Sequence, residues 1–109
     1  VILRYIDTHS HTYLKRFNDD RKKLYSEISE NLDYIIDIGI DRKSIQKILE
    51  NVKEYEFIYG TVGFHPTDTE DFSDDDVSYM EEALKEEKIV AIGEIGLDFH
   101  WDTDRNKQF

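Results

Sequence analysis

Four short runs of β-branched and aromatic residues are separated along this chain by three stripes of apolar positions at helical spacing. The first run extends from Ile2 to about His9, the second covers Tyr34 to Ile38 and stops at Gly39, the third covers Phe57 to Val62, and the fourth covers Ile89 to Gly93. Their length and composition predict buried strands. Thr12 to Asn18 reads as a loop, and Leu24, Ile28 and Leu32 mark a helix that starts at Asp19 or Asp20 and ends near Asn31. A second helix, capped by Asp41 or Ser44, places Ile45, Ile48, Leu49 and Val52 at i, i+3, i+4 and i+7. After the third run Pro66 forces the chain out of the sheet, and an acidic loop spans Thr67 to Phe72. Ser73 and Asp76 resemble a capping box for a third helix with Val77, Met80 and Leu84 as its buried stripe. Lys85 and Lys88 stand near its carboxyl end, where cations are favoured. A polar turn and the start of a fourth helix, Thr103 to Phe109, complete the chain.

Strict alternation of strand and helix calls for a parallel sheet with helices packed outside it. A doubly wound sheet would carry a glycine-rich loop after its first strand, whereas this chain has His9-Ser10-His11 there. The expected architecture is α/β, a TIM-type (β/α)8 barrel of which about four strands and three helices are present. Residues 1–109 then make the N-terminal half of a single barrel domain. The absence of methionine at position 1 fits a part of a longer protein.

In an extended strand His9 and His11 point to the same side, so both imidazoles can reach one metal. A carboxylate, Glu94, ends the fourth run in a strongly apolar context, where an unpaired charge is costly. Imidazole and carboxylate together suit a hydrolytic divalent metal. The alternative for Glu94 is pairing with an arginine or with the histidines. Gly93 and Gly96 fit either a close backbone approach or plain turn geometry. His65 is suited to binding a substrate phosphate, or else to satisfying backbone groups of its own loop. Asp98 either orients a ligand or fixes the loop after the fourth strand, and for His100 a structural role is favoured. Phe64, Phe99 and Trp101 could form an aromatic lip for stacking bases, or simply pack locally.

The net charge of −11 argues against indiscriminate binding to nucleic acid. Residues 1–53 nevertheless carry ten lysines and arginines against nine acidic residues, whereas residues 54–109 carry four against sixteen. A polyanion would have to approach Lys15, Arg16, Arg21, Lys22 and Lys23, which otherwise form a solvated helix entry. No cysteine is available for a disulfide, a thiolate ligand or a nucleophile. No apolar run approaches the ~20 residues that span a bilayer. The expectation is a cytoplasmic protein with no membrane partner.

Tyr5-Ile6-Asp7-Thr8-His9-Ser10-His11, Gly60 to Pro66, and Ala91 to Phe99 followed by Arg105 and Gln108 resemble the TatD family of metal-dependent deoxyribonucleases, in the amidohydrolase-like superfamily. The resemblance covers the chain in order, and its third motif is very specific. It implies a metal-dependent hydrolase that cleaves phosphodiester bonds in DNA with one or two divalent ions, Mg, Mn and Zn being equally compatible. It makes His9, His11 and Glu94 metal ligands, with Glu94 able to bridge two ions. Glu94 and His65 become catalytic residues, His65 falls near the substrate, and Arg105 and Gln108 become structural supports; Asp98, from its place in the loop after the fourth strand, is taken as a substrate-binding residue as well. Where the family has cysteine this chain has Ser10, and where it has leucine and aspartate this chain has Thr12 and Tyr13. Two further histidines and an aspartate of the family fall beyond Phe109. The rival readings are a hydrolase of a small ester, amide or lactone on the same scaffold, and a non-catalytic truncated piece. The fragment by itself is expected to self-associate and to lack useful activity.

Overall fold

The structure, a computed structural model, describes residues 3–101 and 103–109, so the expected strand start at Ile2 lies outside the described residues. The elements are β1 (Tyr5–Ser10), α1 (Arg21–Asn31), β2 (Leu32–Asp37), α2 (Arg42–Glu54), β3 (Ile58–Val62), α3 (Asp74–Ala83), β4 (Ile89–Ile92) and a single turn, α4 (Arg105–Gln108). Short 3-10 turns at Lys15–Phe17 and Pro66–Asp68 lie in stretches that read as loops. Leu32, expected to extend the apolar stripe of α1, instead opens β2. Its backbone is extended, while its N–H still donates to Ile28 O of the helix.

All four strands are parallel and lie in the order β1-β2-β3-β4. A doubly wound sheet reverses its strand order at a switch point, whereas an unbroken sequential order is how strands follow one another around a barrel. The four units therefore have the arrangement of a TIM-type barrel segment. β1 and β4 are the two edges of the sheet, and Tyr5, Ile6, Val90 and Ile92 on them are exposed.

Alternate residues of the strands face the helices. Ile35, Ile58, Val62 and Ile89 are buried there against Tyr25 of α1, Ile45, Ile48 and Val52 of α2, and Ala83 of α3. Gly60 sets the depth of this contact. A Cβ at Gly60 would lie 2.2 Å from Ile48 Cγ2 and 3.1 Å from Ile89 Cδ1, so α2 rests directly on the backbone of β3. On the opposite face the rings of Tyr34 and Tyr59 meet edge to face with centroids 5.4 Å apart.

Local signals placed α2 well. Asp41 and Ser44, read as alternative caps, act together: the Asp41 carboxylate accepts Ser44 N–H at 2.7 Å and Ser44 Oγ accepts Asp41 N–H at 3.0 Å. At α3, Asp76 accepts Ser73 N–H at 3.0 Å. The buried face of α3 differs from the expected Val77, Met80 and Leu84. Asp76 and Ala83 are buried, Tyr79 and Met80 pack on the core, and Val77 and Leu84 are exposed. Arg42 of α2 causes the rotation, since it pairs with Asp76 and Asp75 and stacks on Tyr79 at 4.3 Å, drawing that side of α3 inward. Lys88, expected to favour the end of α3, instead caps α2. Its ammonium donates to Val52 O at 2.8 Å, Tyr55 O at 2.7 Å and Glu56 O at 3.1 Å, and burial lowers its pKa.

Because a methyl group at Gly60 has no space, Gly60→Ala is expected to lower the unfolding free energy of the full-length protein by about 1–3 kcal/mol. A urea titration should show an earlier midpoint at an unchanged m value. An unshifted midpoint would mean that α2 can retreat from β3 without cost.

Candidate metal centre

His9 and His11 leave the carboxyl end of β1 through an irregular register. Asp7 pairs with Ile35 and Ser10 with Asp37, so the first strand advances three residues while the second advances two. Such a bulge re-aims side chains. His9 N–H turns back onto the Asp7 carboxylate at 3.0 Å. The two imidazoles end edge to face with ring centroids 5.1 Å apart.

A buried carboxylate secures this end of β1. Asp37 accepts Ser10 Oγ–H at 2.8 Å, Thr12 N–H at 2.9 Å and Thr12 Oγ1–H at 2.6 Å. The Thr12 proton being committed to Asp37, the Tyr25 hydroxyl donates to Thr12 Oγ1 at 2.9 Å and itself receives Asn51 Nδ2–H at 3.1 Å. The line of bonds joins β1, β2, α1 and α2. From outside, Arg21 donates to the carbonyls of Thr12, Tyr13 and Leu14. Its guanidinium thus organises the loop and is not a free cation for a polyanion. Asp37 was missed in the sequence reading, although a carboxylate inside an apolar run is the same signal that singled out Glu94.

Contacts on the far nitrogen orient His11. Tyr13 Oη–H donates to Ile38 O at 2.7 Å, and His11 Nδ1 lies 2.7 Å from Tyr13 Oη and 3.1 Å from Ile38 O. A carbonyl can only accept, so Nδ1 carries the proton and Nε2 keeps its lone pair for a ligand. Burial raises the Tyr13 pKa, which keeps that hydroxyl protonated.

Glu94 is placed by backbone. Its N–H donates to Gly39 O at 2.7 Å, Gly93 N–H donates to Val62 O at 2.8 Å, and Thr61 Oγ1–H donates to Gly93 O at 2.7 Å. A Cβ at Gly63 would lie 2.5 Å from Gly93 C and 2.7 Å from Glu94 N and O. The close approach considered for Gly93 and Gly96 therefore belongs to Gly63, since both of those positions open onto empty space. Gly96, with φ of 131°, supplies turn geometry. Glu94 itself is half-buried, not sealed in an apolar interior, because Ile92 and Ile95 around it are exposed. Its neighbours are histidines: His9 Nε2 lies 3.7 Å from Oε2 and His65 Nε2 lies 3.4 Å from Oε1.

His9, His11 and Glu94 each offer one ligand atom, and these atoms lie within 4.8 Å of one another. Two imidazoles and a carboxylate at that spacing, with the His11 tautomer already set, fit a divalent cation. His65 caps the turn after β3, its Nδ1 accepting Thr67 N–H at 3.2 Å. The proton of its neutral ring is therefore on Nε2, the atom facing Glu94, which makes His65 a donor at the rim and not a ligand. Of the two roles considered for His65, the Nδ1 contact with its own loop is the one the structure shows.

The loop after β4 is self-contained. Gln108 accepts Asp98 N–H at 2.8 Å and donates to Asp98 O at 2.7 Å, while the Asp98 carboxylate accepts His100 N–H at 3.0 Å. Of the two roles considered for Asp98, these contacts are loop-fixing. Arg105 stacks on Phe99 at 4.8 Å. The aromatics pair separately, Phe64 with Phe72, Phe99 with Phe109 and Trp101 with His100, and do not form one lip.

The chain is 38% identical over 97 residues to the uncharacterized metal-dependent hydrolase YabD of Bacillus subtilis, covering 88% of this chain and 38% of that protein. It is 27% identical over 86 residues to the 3'-5' ssDNA/RNA exonuclease TatD of Cronobacter sakazakii, covering 78% of this chain and 33% of that one. The crystal structure of YjjV, a TatD homolog from Escherichia coli K12, superposes with a TM-score of 0.82 at 30% identity over 100% of this chain and 42% of that one. The chain thus spans about two fifths or less of the length of the relatives it matches. Residues 6–109 match the family described as TatD related DNase, and the chain belongs to that family.

Proposed function

We propose that residues 1–109 are the first part of one barrel domain of a divalent-metal-dependent nuclease, a cytoplasmic protein that hydrolyses phosphodiester bonds in DNA. The observation that carries this reading is the convergence of His9, His11 and Glu94 within 4.8 Å at the carboxyl end of a parallel sheet. That is the end at which barrel enzymes place their chemistry. The exonuclease name of a relative supports nucleic acid as the substrate class. Among the described residues no helix is long and apolar enough to cross a membrane.

His9, His11 and Glu94 would hold the cation, which would supply Lewis-acid activation of a water and of a phosphoryl oxygen. The remaining work falls to the chain. Asp37 and Arg21 hold the histidine loop, Tyr13 and Ile38 fix the His11 tautomer, and His65 Nε2–H is placed to donate to a phosphoryl oxygen beside Glu94. Asp98 shapes the rim from within its own loop. The exposed apolar residues on β1 and β4 make this chain alone prone to pair edge to edge.

In the full-length protein Glu94→Gln keeps the side-chain shape and removes the charge. Cleavage of single-stranded DNA is expected to fall at least about 100-fold, because several kcal/mol of charge stabilisation are involved and each 1.36 kcal/mol is tenfold. Calorimetric titration should show weakened metal binding, and turnover unaffected by the substitution would remove Glu94 from the centre. Ser10→Cys restores the family residue but replaces a hydroxyl donor to a buried carboxylate with a weak thiol donor. Stability should drop by about 1–3 kcal/mol while the rate per folded molecule is unchanged. For the 109-residue chain by itself, sedimentation is expected to show dimers or larger species without DNA turnover. A monodisperse monomer with metal-dependent activity would contradict the partial-barrel reading.

A further inference from the structure

We propose that the groove between the loop after β1 and the first half of α2 is a binding site for a long-chain fatty acid, with the alkyl chain along its floor and the carboxylate among the cations at its rim. The inference goes beyond the nuclease reading and does not depend on it. The groove has a volume of about 590 Å³, within the range of sites for small organic ligands. Its walls come from two stretches alone, residues 13–16 and 40–47.

The floor is apolar, and the hydroxyls within it are already bonded. Tyr13, Leu14 and Ile40 are half-buried in the groove, whereas its lysines and its arginine are exposed. The Tyr13 hydroxyl donates to Ile38 O at 2.7 Å and accepts His11 Nδ1–H at 2.7 Å. Ser44 Oγ donates to Asp41 O at 2.9 Å and accepts Ile40 N–H at 2.9 Å and Asp41 N–H at 3.0 Å. Arg21 occupies the Leu14 carbonyl, and His65 N–H occupies that of Ile40. A peptide strand laid on this floor would bring an N–H and a C=O with each residue, and a sugar or a base its own polar edges. Such groups would lose water without finding partners, at a cost. An alkyl chain has no hydrogen bond to lose and gains with every methylene it takes out of water.

The rim supplies the complement to an anionic head. In a chain of net charge −11, four cations line this one groove against a single carboxylate, that of Asp41, which is engaged by Ser44 N–H at 2.7 Å. Among the described residues Lys15, Arg16 and Lys43 make no ion pair, and Lys47 reaches only Glu50, at 3.6 Å on an exposed surface. Long cationic side chains lay their methylene stems on apolar surface and keep their heads in water, so the same residues extend the floor and present the charge. An apolar floor with a cationic rim matches a molecule of one apolar chain and one anionic head.

The test is calorimetric titration of the full-length protein with sodium dodecanoate below its micelle-forming concentration. Saturable binding is expected, with octanoate at least about tenfold weaker, because the methylenes it lacks are those the floor would cover. Leu14→Asp, which puts a carboxylate on the floor, and Lys15→Glu/Lys43→Glu, which reverses charge at the rim, should each raise the dodecanoate dissociation constant at least about tenfold. Lys22→Glu/Lys23→Glu, on a separate groove, should change it less than about twofold. Leu14 lies outside the apolar core and the lysines are exposed, so the variants should keep the thermal melt of the parent protein. Loss of binding by the Lys15 and Lys43 variant at an unchanged melt supports the site. A carboxylate held instead by a metal at His9, His11 and Glu94 would ignore both chain length and the groove substitutions, and that pattern overturns the proposal. Co-flotation with vesicles of equal parts phosphatidylcholine and phosphatidylglycerol, without saturable binding of dodecanoate, overturns it as well, since the cations would then face a membrane surface.

Discussion

The Asp37 carboxylate lies fully buried at the end of β2, and no ion pair offsets its desolvation among the described residues. Three hydrogen bonds compensate instead, all from Ser10 and Thr12 at the end of β1. A buried charge without donors costs several kcal/mol, so the end of β1 cannot detach from β2 without leaving that cost uncovered. His11 lies between the two donors in sequence. Its position is therefore tied to the energetics of the core. The departures from the family pattern at Ser10 and Thr12 make physical sense here, because each supplies a hydroxyl to the carboxylate.

The two halves of the centre are built by different means. The histidines are held by a side-chain network and by a loop clamped on Arg21. Glu94 is held by main chain, through Gly39 O, Val62 O and the close contact with Gly63. Backbone contacts across β2, β3 and β4 leave little freedom where the last strand ends. The carboxylate can then face His9 and His65 without an arginine to hold it. Packing at Gly60 belongs to the same design, since it brings α2 onto β3 and so fixes the helix into which the loop after β2 runs.

Charge is distributed unevenly between the two halves of the chain. The acidic second half keeps α3 on α2 through Arg42, which pairs with Asp75 and Asp76 and covers Tyr79. Cations gather instead beside the histidine loop, in a groove lined by residues that also touch His11 and His65.

Much of this was legible in the order of residues. Alternating strand and helix periods determined a parallel α/β sheet, because period and length are local properties of the backbone. The Asp41 and Ser44 box gave the start of α2 for the same reason. His9, His11 and Glu94 could be singled out because ligand-type side chains at the ends of apolar runs are costly unless they do something. Tertiary structure alone decided the rest. Val77 and Leu84 lost the core to Asp76 and Ala83 because a neighbouring helix supplied Arg42. Lys88 reached a helix other than its own, and Gly63, not Gly93, proved to be the point of close approach. Asp37 became the anchor of the centre because Thr12 and Ser10, 25 and 27 positions earlier in the chain, fold back onto it. Each of these depends on contacts between segments distant in sequence, and no local period or propensity carries that information.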